Sequence, residues 1–405
     1  MTLVSKELTS ERLRDLVQDA HLSFLIGAGA SAPMFRLLGD VENMLTSLEA
    51  ADVDEDARAF ARASIYSGFF RSVVLKNQDL LARTGEAPHL LTRYESFLGT
   101  INRLLIERRS SILNKQVNIF TTNVDLAIEI AAETLQVHLN DGFAGRLQPS
   151  FSTSNFGSVV SRRSLQYDNL SEVPTFNLLK LHGSVGWSAE GQDENRPGIS
   201  LDARLERVAT AAEALDAVDT LLIDVGQGTT LQELLQGPVP LNSVDLLKPF
   251  LDAYRQLAIV NPTKTKFQQT VLNQNYYDLL RLFSNELEKE NAVLFVVGFS
   301  CRDEHIRELM VRAARTNPTL QIVIFAYSPH SAAEIERAFE GYPITNSNIL
   351  VVAPPDTPEG HEGLRFDLPT VVAEFFDKVA PNVSTPKQAV EIEVSVKEPL
   401  VATDD

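Results

Sequence analysis

The sequence predicts an α/β protein: a doubly wound, mostly parallel sheet with a helical insertion domain. Three observations predict it. Short apolar runs at 22–26, 117–122, 176–181, 292–297, 321–326 and 348–352 have the length and β-branched content of strands buried on both faces. Stretches of helical periodicity separate most of them, the strand–helix alternation of a parallel sheet. The first, second, third and fourth of these runs stop at polar or glycine-rich segments, where open α/β sheets of the Rossmann-like kind present ligands.

Each element is read from its local pattern. Residues 5–19 form an amphipathic helix with Thr9-Ser10-Glu11 at its cap and Leu13, Leu16 and Val17 on one face. Leu22 to Ile26 is a strand that breaks at Gly27-Ala28-Gly29, with a helix expected next. From 36 to 115 the period is helical, through Leu37, Leu38, Val41, Met44, Leu45 and Leu48, then Phe60, Ile65 and Phe69, then Phe97, Leu98, Ile101 and Leu104. Gly85-Glu86-Ala87-Pro88 reads as a loop within that block. Val117 to Thr122 is a strand ending at Asn123-Val124-Asp125, and a helix covers 126–135. Val137-His138-Leu139 is a short strand before the turn Asn140-Asp141-Gly142. The Ser-, Arg- and Asn-rich residues 150–172 read as loop. Phe176 to Leu181 is a strand delivering His182-Gly183-Ser184. A polar loop spans 188–200, a helix about 201–218, and 219–245 shows no clean period.

Leu257 to Val260 is a strand stopping at Asn261-Pro262, and a helix runs from about Tyr276 to Glu290. Ala292 to Val297 is the most strand-like run and ends at Gly298-Phe299-Ser300. Next come a helix over 303–315, a strand over 321–326, a further helix, a strand over 348–352 and a helix near 368–379. The domain reading is one discontinuous unit over 1–380, with its core at about 1–35, 116–187 and 255–380. A helical insertion at 36–115 and a loop-and-helix insertion at 188–254 interrupt it. Residues 381–405 are a polar, acidic tail in which Glu391 to Val396 alternate with period two, disordered or a strand for a neighbouring subunit.

Charge and cysteine content bound the function. With 54 acidic and 36 basic side chains the net charge is −18, which repels nucleic acid and argues against direct contact with it. Cys301 is the single cysteine, so neither an intrachain disulfide nor a four-cysteine zinc site can form. That suits a reducing cytoplasm. No run approaches the roughly 18–20 apolar residues of a membrane span, and the charged start (Lys6, Glu7, Glu11) is not that of a signal peptide.

Gly27-x-Gly29-x-x-Ala32 fits the dinucleotide fingerprint with Ala in the third place. Its physics is close backbone approach to a phosphate, with help from the N-terminus of the next helix. A hydride-transfer enzyme also needs a second strand ending in an acid about 20 residues on, to hold the adenine ribose. Asp40 and Glu42 lie in a helical context, so a dehydrogenase is disfavoured. Asn123, Asp125 and Ser300 each have a plain reading as helix caps. Four polar segments on one sheet edge favour a site.

In their order, Gly27-Ala28-Gly29-Ala30-Ser31, Thr121-Thr122-Asn123-Val124-Asp125, His182-Gly183-Ser184 and Gly298-Phe299-Ser300 resemble the signatures of the sirtuin superfamily. The match spans about residues 20–330. Gly298 to Ile306 resembles the bacterial branch that hydrolyses NAD in antiphage defence. The resemblance implies NAD as substrate, with Gly27, Ala28, Gly29, Ala30 and Ser31 on its phosphates. Asn123 would position a water at the nicotinamide ribose, and His182 would be the general base. Asp125 would hold the carboxamide, with Thr122, Gly183 and Ser184 lining the site and Gly298, Phe299 and Ser300 on the adenosine side. The zinc module of the deacetylases is absent, so no zinc or other metal is expected and an acyl-lysine cleft is in doubt. Pro33-Met34-Phe35-Arg36 comes early relative to that family's Pro-x-Phe-Arg, which leaves the role of Arg36 open.

The implied function is a cytoplasmic NAD glycohydrolase, the toxic effector of a defence system. It would act as a homo-oligomer docked on a HerA-type ATPase, with no membrane and no nucleic acid of its own. The alternatives are a zinc-free deacylase or ADP-ribosyltransferase, and a non-catalytic module that senses NAD or ADP-ribose by assembly.

Overall fold

A computed structural model describes residues 8–35, 41–108, 110, 112–166, 168–190, 198–226, 228–260, 274–342, 346–356 and 363–380. Arg36, the Asn261-Pro262 strand stop and the tail 381–405 lie outside the described residues.

The predicted α/β, Rossmann-like sheet is present. Seven parallel strands form it: β1 (His21–Ile26), β2 (Gln116–Thr121), β3 (His138–Asn140), β4 (Thr175–Lys180), β5 (Ala292–Val297), β6 (Gln321–Phe325) and β7 (Ile349–Val352). Their order is β7-β6-β5-β1-β2-β4-β3. The chain builds outward from β1 to one side and then returns to start β5 on the other. The β1/β5 boundary is therefore the topological switch point, and its carboxyl end is where such sheets bind ligands.

Strand alternation explains the double winding. Phe24, Ile26, Val117, Phe295 and Val297 enter one core, while Leu25, Phe120, Leu294 and Val296 enter the other. On the first face lie the helices Ser10–Asp19, Ala87–Ile106 and Ala127–Leu135 and the segment from Leu368 to Val379. Phe24 meets Phe97 edge-on at 5.1 Å and Phe376 at 5.4 Å. On the second lie Gln274–Leu287, Glu304–Thr316 and Pro329–Ala338, with Phe120 meeting Phe283 at 4.9 Å.

The block read as helical over 36–115 contains Val41–Ala50, Glu55–Phe69, a π-turn Phe70–Val74, Lys76–Ala82 and Ala87–Ile106. Its last helix is the β1-to-β2 crossover and covers the sheet itself. Ala87 and Pro88, read as loop, open that helix, because proline fits the first turn, where its missing N–H costs nothing. The two insertions pack together. Tyr66 stacks on Tyr254 with centroids 4.3 Å apart, and Phe70 meets Phe250 edge-on.

Three further local readings are corrected. The helix expected straight after the glycine turn is a four-residue 3-10 helix, Ala28–Ser31. The loop expected at 188–200 contains strand: Gly183–Glu190 pairs antiparallel with Gly198–Leu201. These join Leu257–Ile259, Ser150–Phe151 and Phe143–Ala144 in a second, five-stranded sheet. Residues 150–172 also hold a small hairpin, Ser161–Arg163 with Leu170–Glu172. Leu257–Ile259 is the strand expected there; the others are made by backbone pairing, and their serines, charges and scattered apolar residues gave no period to read. Within the unassigned 219–245, Leu231–Gln236 is a helix with a full capping box, Thr230 with Glu233, a spacing the sequence did contain.

The turns after β1 and β5 touch backbone to backbone. Gly27 N–H donates to Val297 O at 3.0 Å and Gly29 N–H to Gly298 O at 2.9 Å. A Cβ on Gly298, whose φ is +67°, would lie 2.3 Å from the Ala30 nitrogen. Gly298→Ala is therefore expected to lower the unfolding free energy by at least about 2 kcal/mol, from left-handed backbone strain plus overpacking. Urea denaturation of the two chains measures it.

Candidate functional site

Four predicted segments converge at the carboxyl edge of the sheet, after β5, β1, β2 and β4 in spatial order. Thr121 of β2 is in register with Lys180 of β4. Two residues further on each chain stand Asn123 and His182, so the two predicted catalytic residues leave adjacent strands at the same level. Leu181 N–H to Thr121 O at 2.8 Å and Val185 N–H to Val124 O at 3.0 Å hold the two exits together.

Asn123 is 7% exposed. Its Nδ2 donates to Gly27 O at 3.2 Å and to Ser31 Oγ at 3.1 Å. A carbonyl oxygen can only accept, so the nitrogen must face Gly27 and the orientation of the amide is determined. Its Oδ1 is buried and has no hydrogen-bond partner in the protein. An unpaired buried acceptor costs about 1–3 kcal/mol, and such a group is a place for a ligand hydroxyl or a water.

Ser31 is the hub. Its hydroxyl donates to Asp125 Oδ2 at 3.0 Å and lies 2.8 Å from Tyr94 OH. Because the single Ser31 proton goes to the carboxylate, Tyr94 is the donor in their pair. Burial pushes the Tyr94 phenol far above its ordinary value, with Asp125 adding to the shift, so it stays a donor. Asp125 uses its other oxygen to accept from Ala127 N–H at 3.1 Å, a turn contact two residues on. The N-cap of the next helix is Leu126, which makes no side-chain cap bond, so neither Asn123 nor Asp125 is its cap.

Beneath this network lies an ion pair that sequence reasoning missed. Lys180, 2% exposed, sits 2.8 Å from Glu129 Oε1, and its Nζ also donates to Asp125 O. Burial raises the Glu129 carboxyl above its usual range, with Lys180 opposing. Asn77, from the insertion, accepts from Leu126 N–H at 3.0 Å. The loop from Asn123 to Leu126 is thus held from four directions. A lone lysine inside the apolar run Phe176 to Leu181 was a legible signal. Tyr94 gave none, since it lies on the apolar face of its helix with Leu91 and Leu98.

The His182 side chain is 18% exposed, with Nε2 3.3 Å from Asp303 Oδ2. Gly183 turns the chain with φ +77°. A Cβ there would lie 2.1 Å from Ala258 O, so only glycine admits the corner into the second sheet. Ser184 is fully buried in the strand Gly183–Glu190 and accepts from Gly186 N–H at 3.2 Å.

The glycine turn differs from a phosphate-binding helix start. Gly27, Gly29 and Ala30 N–H groups already bond to Val297, Gly298 and Gly27 carbonyls. Ala28 is exposed and Gly29 half-buried, so this is the part of the turn open to a ligand. Thr122 N–H bonds to Ile26 O at 3.3 Å. Gly298 contacts the turn, Phe299 is buried and Ser300 is exposed. Beyond the turn, Pro33 and Met34 line a cavity of about 610 Å³ with Arg71, Lys76, Asp79 and Asp224. Another polar cavity, of about 330 Å³, lies at the amino edge of the sheet among His21, Asn118 and Asn177, the wrong end for ligand binding in this fold.

Among the described residues no cluster of three or more His, Cys, Asp or Glu could hold a metal ion, and no helix is long and apolar enough to cross a membrane. No family model matches this sequence, and no curated protein matches it.

Cys301, beside Ser300, is fully buried, and burial pushes its thiol up to about 12. A raised value means the neutral thiol is the favoured folded form. The stability it contributes is full below the ordinary value of 9.0 and fades as pH rises toward 12. Alkylation of Cys301 by iodoacetamide at pH 8 is expected to be at least about 100-fold slower in the native chain than in urea, as read by mass spectrometry.

Proposed function

We propose that this chain is an NAD glycohydrolase that releases nicotinamide and ADP-ribose. The observation that supports it most is the oriented Asn123 amide, with its buried, unpartnered Oδ1 level with His182 on the adjacent strand exit. Nicotinamide in NAD is a cationic leaving group, so its departure needs little acid catalysis. When the C1′–N bond breaks, the electron pair goes to the pyridinium nitrogen and the ribose carbon becomes oxocarbenium-like. Water must then reach that carbon on one face. Asn123 Oδ1 accepts one hydrogen from that water or from a ribose hydroxyl and fixes its position. His182 takes the proton the water loses as its oxygen bonds to C1′. Asp125, held by Ser31 and Ala127, keeps its carboxylate beside Asn123 for the nicotinamide carboxamide.

The ordered resemblance of the four strand-end segments to the sirtuin superfamily supports the same reading. By that resemblance we place the chain in the bacterial antiphage branch. It would be a homo-oligomer in the cytoplasm that acts with a HerA-type ATPase, the partner that would meet DNA. The acidic net charge of −18 suits that division of labour.

The assay is nicotinamide release from NAD by the full chain, with and without the ATPase, and with and without an acyl-lysine peptide. Release without peptide is expected. Asn123→Ala should cut it by about 10²–10³-fold and His182→Ala by about 10²–10⁴-fold, with circular dichroism unchanged. Release only with peptide would instead indicate a deacylase, and ADP-ribose left attached to protein a transferase. No turnover under any condition, with NAD bound, would point to a sensing module.

A further inference from the structure

His182 and Asp303 come from strands that are not neighbours. Between β4 and β5 lie β2 and β1, three inter-strand steps of about 4.8 Å each. Yet His182 Nε2 and Asp303 Oδ2 are 3.3 Å apart, with side chains only 18% and 11% exposed. The loops after β4 and β5 therefore lean together over the ends of β1 and β2, above the glycine turn and Asn123.

Asp303 has an ordinary local task as well. It is the N-cap of the 13-residue helix Glu304–Thr316, with Oδ1 accepting from Ile306 N–H at 3.4 Å. Capping needs one oxygen, and Asn or Ser would supply it equally well. The second oxygen, the one turned to His182, is what a carboxylate adds. Its place at a helix N-terminus is one where negative charge is favoured.

We propose that Asp303 is the positioning residue for His182. Resting on the NAD glycohydrolase reading, its role is to select the histidine tautomer that can act as base. An ionised carboxylate can only accept, so the nitrogen facing it keeps its hydrogen. Nε2 lies at ion-pair distance from the Asp303 carboxylate, whose charge favours the form with the hydrogen on Nε2, and Nδ1 then presents its lone pair to the reacting water or ribose hydroxyl. When Nδ1 takes that proton, the ring becomes imidazolium and the carboxylate stabilises it without taking the proton itself. The one contact thus fixes which nitrogen works and where the ring points. It also explains how a histidine at a corner between two sheets keeps one orientation.

The test uses the full-length chain labelled with ¹⁵N-histidine, with the His182 signals assigned by their loss in His182→Gln. Asp303→Asn and Asp303→Ser both keep an N-cap, so both are expected to fold, with thermal midpoints within a few degrees of the parent. In the parent chain the neutral His182 ring is expected as the Nε2–H form. In both variants that preference is expected to be lost, with nicotinamide release falling by about 10²–10⁴-fold and KM for NAD changing by less than about threefold. An unchanged tautomer in Asp303→Asn and Asp303→Ser overturns the proposal, as does turnover within about threefold of the parent. A tautomer shift in a parent chain that never cleaves NAD leaves the pairing standing and removes the glycohydrolase reading.

Discussion

The backbone contact between the turns after β1 and β5 is the constraint on which the rest of the site depends. Gly27 and Gly29 lie against Gly298 with no room for a side chain on any of them. That closeness uses hydrogen bonds a phosphate cradle would otherwise offer, and so the turn serves first as a joint. On one side of the joint it delivers Ser31 and Gly27 O to Asn123. On the other it brings the loop carrying Asp303 across the strand ends to His182. A Cβ on Gly27, Gly29 or Gly298 would lie 2.5, 2.9 or 2.3 Å from the opposing turn.

The polar cluster around Asn123 is built to hold one orientation of one amide. Each partner has a forced role: Gly27 O accepts, Ser31 donates to Asp125, and Tyr94 donates to Ser31. The ion pair of buried Lys180 with partly exposed Glu129 is poor as a source of stability, and Lys180 Nζ supports the Asp125 carbonyl. Tyr94 and Asn77 come from the helical block between β1 and β2. That block is therefore more than a cover. It supplies two of the side chains that hold the strand-end loops in place.

Much of this was legible, residue by residue. The β-branched run Ala292 to Val297 and the breaks at Gly27, Asn123 and Gly298 announced a parallel sheet with polar segments at its carboxyl ends. Of the second sheet only Leu257 to Ile259 was legible, because Gly183 to Glu190 and Gly198 to Leu201 draw their strand character from pairing with each other and with it. Their serines and glycines suit a loop just as well. The 3-10 turn after Gly27 was missed for a related reason: the motif specifies a sharp turn, while packing against Gly298 sets the short helix that comes after it.

The sequence by itself determined the fold class, the strands of the central sheet and the residue types available at its edge. Hydrophobic periodicity is local, and a buried strand must be apolar whatever surrounds it. Only the tertiary structure decided which polar groups meet. Sequence reasoning offers Ser300 as a helix cap where the structure has Asp303, and it singles out neither Tyr94 nor Lys180. The work of these three residues, Asp303, Tyr94 and Lys180, depends on contacts with residues tens to more than a hundred positions away in the chain. Hydrogen bonding is short-ranged in space and indifferent to sequence separation, so these roles became visible once the strand order placed β4 and β5 on either side of β1 and β2.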